Sequence, residues 1–270
     1  MNEKVLVSIP YFKCQKTVRR AVNTMLRQTH KETYVLVVDD GDGTAGAALE
    51  GIAGHDRRLF VCKLPENRGR YFADSVALMA SPFPWFSVHD ADDYSDDDRI
   101  ERLFARQRET GAYAVFSEQR IHRLDGTTYI EDCERVDGEL SENLQHLVHH
   151  AGIYNREALL RVGGYRPDFR VGYDSLIVNL LKMAFKIDGV RRPLYHRVAR
   201  AGSLTSDRAT GFGSPHREQA KKHIIELYDR CMKSDRKPET IAKIVLDDVP
   251  TNVLEEVERY ADDLREALPW

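Results

Sequence analysis

Short apolar runs alternate with helix-like segments between residues 5 and 89, and two of these runs end directly in aspartates. Runs of this length are typical of buried strands, whereas the segments between them place apolar residues at helical spacing. The alternation predicts βαβ units, and therefore a largely parallel sheet flanked by helices. The predicted strands lie at residues 5–9, 34–38, 59–63 and 85–89, and the predicted helices at residues 18–26, 45–53 and 70–80.

The strand at residues 85–89 is followed at once by Asp90, Asp92 and Asp93. Because side chains alternate along extended backbone, Asp90 and Asp92 are expected on the same side. Two neighbouring carboxylates stay ionised only beside a compensating positive charge, and hard oxygen ligands favour Mg²⁺ or Mn²⁺. Such an ion would hold a phosphate, which suggests a nucleotide-linked substrate.

A second acidic pair, Asp39 and Asp40, follows the strand at residues 34–38. The carboxyl ends of parallel strands meet at one edge of a sheet, so both acidic clusters are expected there. The surrounding D-D-G-D-G composition is also that of a turn. Asp40 is the better functional candidate, because a carboxylate can accept the imide N–H of uracil or thymine. The aspartates at residues 96–98 are instead expected in the first turn of a helix that Ser95 caps.

Composition limits the remaining possibilities. A chain of 270 residues suits one large domain, or one domain with an appendage, and a net charge of −3 argues against non-specific nucleic-acid binding. The four cysteines are far apart, as in reduced cytosolic proteins. No apolar run approaches the ~20 residues that cross a bilayer, and no cleavable signal precedes the first strand. We therefore expect a cytoplasmic protein, with peripheral membrane association left open.

The second part of the chain is more mixed. Strands are predicted at residues 113–117, 121–124 and 128–130, and helices at residues 99–110, 155–162 and 175–186. Beyond residue 213 the pattern is charged and helical, which divides the chain into a catalytic domain (1–213) and a helical extension (214–270). The last helix has a capping-box-like start at Asn252 and Glu255. Its apolar face is expected to pack on the main domain or on a second subunit, so a homodimer is one option.

Several short motifs in a fixed order resemble the family-2 glycosyltransferases with the GT-A fold. The resemblance covers roughly residues 4–205. It implies a Rossmann-like mixed, mostly parallel sheet flanked by helices, a nucleotide-sugar donor, and inversion at the anomeric carbon. The motifs are Ser8-Ile9-Pro10-Tyr11, Gln28-Thr29, Val37-Val38-Asp39-Asp40-Gly41, Asn67-Arg68-Gly69, His89-Asp90-Ala91-Asp92-Asp93, Gly163-Gly164-Tyr165, Gly172-Tyr173-Asp174, Leu194-Tyr195-His196-Arg197 and Gly202-Ser203-Leu204-Thr205.

The resemblance also implies individual roles. Asp92 takes the position of the ligand to Mn²⁺ or Mg²⁺, and Asp90 would lie near the ribose or the metal. Asp174 takes the position of the general base, although its place before a predicted helix also suits an N-cap. Asp40 takes the position that contacts the base of the nucleotide. The other predicted donor-binding residues are Pro10, Tyr11, Asp39 and Asn67.

The chain departs from the family pattern at several of these places. Asp74-Ser75 stands where an Arg-Asn pair is usual, and Tyr173 stands where a glutamate usually precedes the base. The late histidine of the family is missing at its usual spacing, where the chain has Arg200, and His196 could replace it as a metal or phosphate contact. Arg200 itself could approach the diphosphate or form a surface ion pair.

Three histidines, His146, His149 and His150, have the spacing of one helix face. We interpret them as a partly exposed polar face rather than a metal site, with His150 as a candidate for the acceptor side.

Three functions follow from these observations. The first is a metal-dependent inverting glycosyltransferase that moves a sugar from a UDP- or dTDP-sugar to the hydroxyl of an unknown acceptor. The second is a non-catalytic glycosyltransferase-like nucleotide-binding or assembly module, which the departures at residues 74–75 and 173 keep open. The third is a nucleotidyltransferase, which residues 10–17 disfavour because they lack a glycine-rich loop.

Overall fold

The computed structural model describes residues 3–200, 202–203 and 209–270. Strands and helices alternate at the start of the chain, as the sequence predicts. The first elements are β1 (Val5–Tyr11), α1 (Val18–Leu26), β2 (Thr33–Asp40), α2 (Ala45–Ala48), β3 (Leu59–Leu64), α3 (Arg70–Ala80) and β4 (Trp85–Val88). The others are β5 (Tyr94–Ser95), α4 (Arg99–Thr110), β6 (Ala114–His122), β7 (Thr128–Glu131), β8 (Gly152–Asn155), α5 (Arg156–Arg161), α6 (Tyr173–Ala184), β9 (Ile187–Val198), α7 (Pro215–Met232), α8 (Pro238–Leu246) and α9 (Thr251–Ala267).

The described strands form one mixed, nine-stranded sheet in the order β3-β2-β1-β4-β8-β6-β9-β5, with β7 paired to β6. Strands β3, β2, β1 and β4 pair in parallel, because each is connected to the next by a helical crossover. Strand β8 pairs antiparallel with both β4 and β6, and β9 runs parallel to β6. Strand β1 is covered on both faces, which explains its continuous apolar run.

The helices cover the sheet on both faces. Helix α1 has a buried apolar face against β1 and β2, at the positions that the helical spacing predicts. On the other face, α3 and α6 form the largest apolar cluster, which includes residues of α7, α8 and α9. No described helix has the length and the apolar character that a bilayer crossing requires.

Helix α9 packs against α3. Its predicted apolar face, which includes Val257 and Leu264, belongs to the main core, and the Trp270 ring lies 5.0 Å from the Phe60 ring and 5.9 Å from the Phe83 ring, centroid to centroid. Of the two expected destinations for this face, the structure shows packing on the main domain.

Strand β1 is longer than the predicted strand at residues 5–9, although proline follows at position 10. The strand continues to Tyr11, and Pro10 pairs with Val38 of β2. The pairing of β1 with β4 ends at Ser8 and Val88, so no strand on that side requires the N–H that proline lacks.

Several other expectations about local structure are wrong. Residues 113–117 and 121–124 are not two strands; they fall largely within the single strand β6, which a bulge at Glu118 interrupts. Ser95 belongs to β5, and the N-cap of α4 is Asp98. The N-cap of α9 is Pro250, so the residues that resemble a capping box lie inside the helix. Neither β8 nor β9 is among the predicted strands.

We expect Arg166→Ala to lower the free energy of unfolding by about 3 kcal/mol, because it leaves buried polar groups without their partner. The Arg166 side chain is only 1% exposed; it bonds Asp168, Asp248 and the backbone oxygen of Val245, and so ties α8 to the main domain. Urea unfolding measures the change. Arg102→Ala is the control, since that side chain is 39% exposed and should cost less than about 0.5 kcal/mol. Equal losses for the two variants would contradict this explanation.

Candidate active site

Both acidic clusters lie at one edge of the sheet. Strand β1 lies between β2 and β4 and runs parallel to both, so the carboxyl ends of all three strands point the same way. Asp39 is the register partner of Tyr11, and Asp90 follows β4 on the other side of β1. With strands ~4.8 Å apart, the ends of β2 and β4 are separated by roughly 10 Å. This arrangement is the one that the alternation of elements predicts.

Three carboxylates after β4 form the centre of the site. Asp90, Asp92 and Asp93 each place one oxygen within 4.8 Å of the others, and no other group of three metal-binding side chains with this spacing occurs in the described part of the chain. Oxygen ligands in this number fit Mg²⁺ or Mn²⁺. We refer to these residues as the acidic trio.

Asp93, to which the sequence analysis assigned no role, is the buried member of the trio. Its carboxylate accepts hydrogen bonds from the Tyr195 hydroxyl and from the backbone N–H of Val198, both at 2.8 Å. Burial, together with the charges of Asp90 and Asp92, raises the pKa of Asp93 well above its usual range. Asp93 therefore fastens the trio to β9, and a positive charge bound at the trio would lower its pKa.

Asp90 has two basic partners. Nη1 of Arg70 lies 2.9 Å from Oδ1 of Asp90, and Nε2 of His150 lies 3.3 Å from Oδ2. Burial alone would raise the pKa of Asp90, but the charges of Arg70 and His150 outweigh it and lower that pKa. Arg70 lies in the first turn of α3, where the helix dipole disfavours a cation. An arginine in the first turn of a helix is the feature of the sequence that could have indicated a nearby acidic partner.

Asp92 is paired with Arg200. Nε of Arg200 donates to Oδ2 of Asp92, and Arg20 donates to the backbone oxygen of Asp92 at 2.5 Å. The sequence analysis left two roles open for Arg200, a contact with the diphosphate and a surface ion pair. In the structure its guanidinium supplies a positive charge directly at the trio.

Asp174 is the second residue of α6, and the N-cap of that helix is Gly172. The alternative that Asp174 is the N-cap is therefore wrong. Its Oδ1 accepts a hydrogen bond from the Tyr71 hydroxyl at 3.0 Å. Burial raises the pKa of Asp174, but His150, His149 and Arg70 more than offset this effect and lower that pKa to about 2. Because His150 and Arg70 act on Asp174 and on Asp90, these two carboxylates belong to one electrostatic cluster.

The carboxylates at the end of β2 both bind backbone. Asp40 accepts the N–H of Arg68 at 2.7 Å and that of Gly69 at 2.8 Å. Burial raises the pKa of Asp40, although these two hydrogen bonds oppose the shift. The carboxylate of Asp39 accepts the N–H groups of Asp42, Gly43 and Ala45. The side chains of Asp39 and Asp40 therefore both shape the loops around the site.

The loop before α3 is also held from outside. Arg170 donates to Oδ1 of Asn67 at 2.6 Å and to its backbone oxygen at 2.9 Å, and Arg68 pairs with Glu256 of α9. Gly41 has a φ of 76°, and a Cβ there would lie 2.3 Å from the backbone carbon of Glu66. Only glycine allows this close approach between the end of β2 and the loop.

The other predicted site residues contact partners outside the trio. Tyr11 is buried, and its hydroxyl lies 2.6 Å from that of Thr44, whereas Pro10 is half-buried at the same edge. Nε2 of His196 lies 3.0 Å from Asp96, and its Nδ1 lies 3.1 Å from His122. His196 is not part of the trio. Its assignment as a metal ligand stays a prediction.

The structure accounts for two departures from the family pattern. Tyr173 is buried and donates to the backbone oxygen of Gly164 at 3.0 Å, so it belongs to the core. Asp74 is buried, accepts a hydrogen bond from Ser8 at 2.8 Å, and lies 3.7 Å from Arg70; burial raises its pKa to about 7. Leu204 and Thr205 of the last motif lie outside the described residues.

The prediction of a histidine helix face is wrong. Residues 144–149 have no helical structure and form a loop that leads toward β8. His146 pairs with Glu131, whereas His149 and His150 are buried. Of these three, His150 is the one that contacts the trio.

Comparison with known proteins agrees with this geometry. The family model described as "Glycosyl transferase family 2" matches residues 6–163. The chain is 33% identical over 110 residues to the succinoglycan biosynthesis protein ExoO of Rhizobium meliloti (strain 1021), covering 41% of this chain and 31% of that protein. It is 30% identical over 99 residues to the chondroitin synthase of Escherichia coli, covering 36% of this chain and 14% of that protein. The chain spans about a third or less of the length of these two relatives.

Solved structures share the fold. The mannosyltransferase PcManGT from Pyrobaculum calidifontis, in complex with GDP-Man and Mn²⁺, has a TM-score of 0.64 at 15% identity, covering 99% of this chain and 75% of that chain. S. aureus TarS 1–349, in complex with UDP-GlcNAc, has a TM-score of 0.61 at 16% identity, covering 98% and 90%. The chain therefore belongs to glycosyl transferase family 2, a family of glycosyltransferases, and it has the GT-A fold.

The lowered pKa of Asp174 predicts how stability depends on pH. A carboxyl group with a pKa of about 2 in the folded protein, against 3.8 in the unfolded chain, stabilises the folded state at neutral pH. With allowance for its partial exposure, we expect Asp174→Asn to lose about 1–2 kcal/mol near pH 7. The difference from the unmodified protein should vanish as the pH falls from about 4 to about 2. Urea unfolding over this range measures it, and a gap that is independent of pH would refute the assignment.

Proposed function

We propose that this chain is a metal-dependent inverting glycosyltransferase that moves a sugar from a nucleotide-sugar donor to an acceptor hydroxyl. The observation that carries the proposal is the acidic trio at the carboxyl end of β4, next to Asp174 in the same electrostatic cluster. A hard divalent cation and one carboxylate base are what such a transfer requires. We propose residues 1–213 as the catalytic domain and residues 214–270 as a helical extension that supports it.

The donor would lie along the ends of β1 and β2. Pro10, which is half-buried, offers a wall for the nucleotide base, and the buried Tyr11 would support that wall from behind. The loop at Asn67 borders the same edge. Asp40 can contact the base even though both of its oxygens accept backbone hydrogen bonds, because each oxygen has a second lone pair. A UDP- or dTDP-sugar is favoured on this ground. The solved relatives named above carry UDP-GlcNAc in one case and GDP-Man in the other.

The trio provides for charge on the leaving group. Asp92 and Asp90 are the proposed ligands of Mn²⁺ or Mg²⁺, with Asp93 behind them; when bound, the ion neutralises the charge that develops on the departing diphosphate. Arg200 lies against Asp92 and is placed to turn to the diphosphate when the cation takes over Asp92. His196 remains an additional candidate ligand, on the family resemblance alone.

Asp174 is the proposed base. The acceptor oxygen forms a bond to the anomeric carbon, the bond from that carbon to the diphosphate oxygen breaks, and the hydroxyl proton passes to Asp174. A carboxyl group with a pKa of about 2 is ionised at neutral pH but weakly basic. A bound donor would bring in the diphosphate and the proposed cation together, and their charges largely cancel. The pKa of Asp174 would then rise only as far as Arg70 and His150 are drawn away from it toward the diphosphate.

We expect Asp92→Asn to weaken metal-dependent binding of UDP by at least about tenfold, since it removes a charged ligand of the ion. Calorimetry with UDP, with and without Mn²⁺, measures this effect. Asp97→Asn is the matched control, because Asp97 lies in the same acidic stretch but pairs with the exposed Arg27. Equal UDP affinity with and without Mn²⁺ in the unmodified protein would refute metal dependence.

We expect Asp174→Asn to retain UDP binding within about twofold and to lower transfer by roughly 10²–10⁴-fold, since the amide keeps the shape but accepts no proton. Mass spectrometry of reactions with a panel of nucleotide sugars and acceptors detects transfer. The binding measurement on the same variant serves as the control for folding. Transfer at an unchanged rate would remove Asp174 from the mechanism.

A further inference from the structure

A small cavity lies near the trio, on the side of β7. Its volume is about 200 Å³, and it is lined by the end of β7 and by the loop that leads to β8. The residues that line it are Glu131, Asp132, Cys133, Arg135, Val136, His146, Leu147 and Val148. This volume lies below the roughly 300–1,000 Å³ of sites that enclose drug-sized ligands, so the cavity suits one small ring rather than a nucleotide.

Two structural connections place this cavity next to the proposed reaction centre. Glu131, Gln119 and Tyr195 are register partners on the neighbouring strands β7, β6 and β9, so their side chains share one face of the sheet. The Tyr195 hydroxyl donates to Asp93 of the trio at 2.8 Å. Val148, which lines the cavity, packs against Tyr195 in a small apolar cluster. One layer of side chains therefore separates the cavity from the trio.

The loop gives the second connection. His146 lines the cavity and His150 contacts Asp90, and only three residues of the chain separate them. The charge of Asp174 reaches His146 and helps to raise the pKa of that imidazole, although the hydrogen bond to Glu131 contributes most. His146 is thus near enough to the proposed base for the charge of Asp174 to act on it.

The chemistry of the lining is that of a site for hydroxyl groups. Nε2 of His146 lies 2.7 Å from Glu131, and Gln119 donates to the other oxygen of Glu131 at 2.5 Å. Gln119 is only 3% exposed and does not itself line the cavity, so it holds Glu131 in place from behind. Both acidic side chains (Glu131 and Asp132) and basic side chains (Arg135 and His146) line the cavity, which favours a neutral polyhydroxyl ligand over an anion.

We propose that this cavity is an acceptor subsite that binds one sugar residue, with Glu131 and His146 bonding its hydroxyl groups and Gln119 orienting Glu131. The proposal rests on the proposed transfer to a hydroxyl, and it identifies the acceptor as a saccharide. The His146 side chain is 62% exposed, so the sugar can enter from solvent without any rearrangement of the sheet. The sugar would offer a hydroxyl toward Asp174 from the side opposite to the donor.

Saturation-transfer NMR with methyl glycosides of glucose, galactose, mannose and N-acetylglucosamine tests the subsite without a donor. We expect at least one of these probes to bind the unmodified protein. Glu131→Gln and His146→Asn should each weaken that binding by about tenfold or more, since each removes a charge-assisted hydrogen bond. Glu142→Gln is the matched control, because Glu142 is exposed on the same loop and does not line the cavity.

The outcomes separate this proposal from the proposed function. Binding of no methyl glycoside, or binding that Glu131→Gln and His146→Asn leave unchanged, overturns the subsite. A peptide containing serine that binds where the glycosides do not would overturn the saccharide assignment. If glycosides bind as expected but UDP does not bind in calorimetry, the proposed transfer fails and the sugar site remains.

Discussion

The compensation of negative charge at one edge of the sheet is the constraint on which the site depends. Five carboxylates belong to the trio or lie close to its basic partners: those of Asp74, Asp90, Asp92, Asp93 and Asp174. Like charges this close together cannot all stay ionised without positive partners. Arg70 and His150 lower the pKa of both Asp90 and Asp174. Burial raises the pKa of the other two buried aspartates, those at residues 74 and 93. The pKa values of neighbouring acids are thus driven apart, as in sites that need both an ionised base and protonated groups.

The same charges connect the two proposed ends of the reaction. Arg70 is largely buried, at the start of α3, with Asp90 on one side and Asp74 on the other. A cation at the trio would compete with Arg70 and Arg200 for the carboxylates, and a diphosphate would compete with the carboxylates for the two guanidinium groups. Binding of a donor would therefore redistribute existing ion pairs rather than bring unpaired charges together. The C-terminal helix α9 helps to fix the loop before α3. Glu256 of this helix forms an ion pair with Arg68, whose backbone N–H donates to Asp40.

Much of the fold could be predicted from the sequence, since periodicity and the order of elements are local properties. The bounds of α1, α3 and α4 match the prediction, and so does the placement of both acidic clusters at one edge. Strands β8 and β9 were missed because their pairing joins distant parts of the chain, and a bulge hides the continuity of β6. Local composition cannot reveal such pairings.

Prediction of the site from the sequence has the same limit, because its members come from distant segments of the chain. Asp90, Asp92 and Asp174 stand out as acids in motifs, whereas the partners that set their pKa values come from other segments. His150 lies at the end of a loop that the histidine spacing wrongly predicts to be helical, and Arg200 follows β9. The hydrogen bonds of Asp40 to backbone N–H groups are likewise a tertiary feature, which a motif of five residues does not encode.

The most direct test of the central claim is the anomalous diffraction of Mn²⁺ in crystals grown with UDP. The account predicts one strong anomalous peak within bonding distance of carboxylate oxygens of Asp92 and Asp90, with the diphosphate on the same ion and Arg200 turned away from Asp92. An ion bound elsewhere, or UDP bound with Arg200 still on Asp92 and no anomalous peak at the trio, would contradict it.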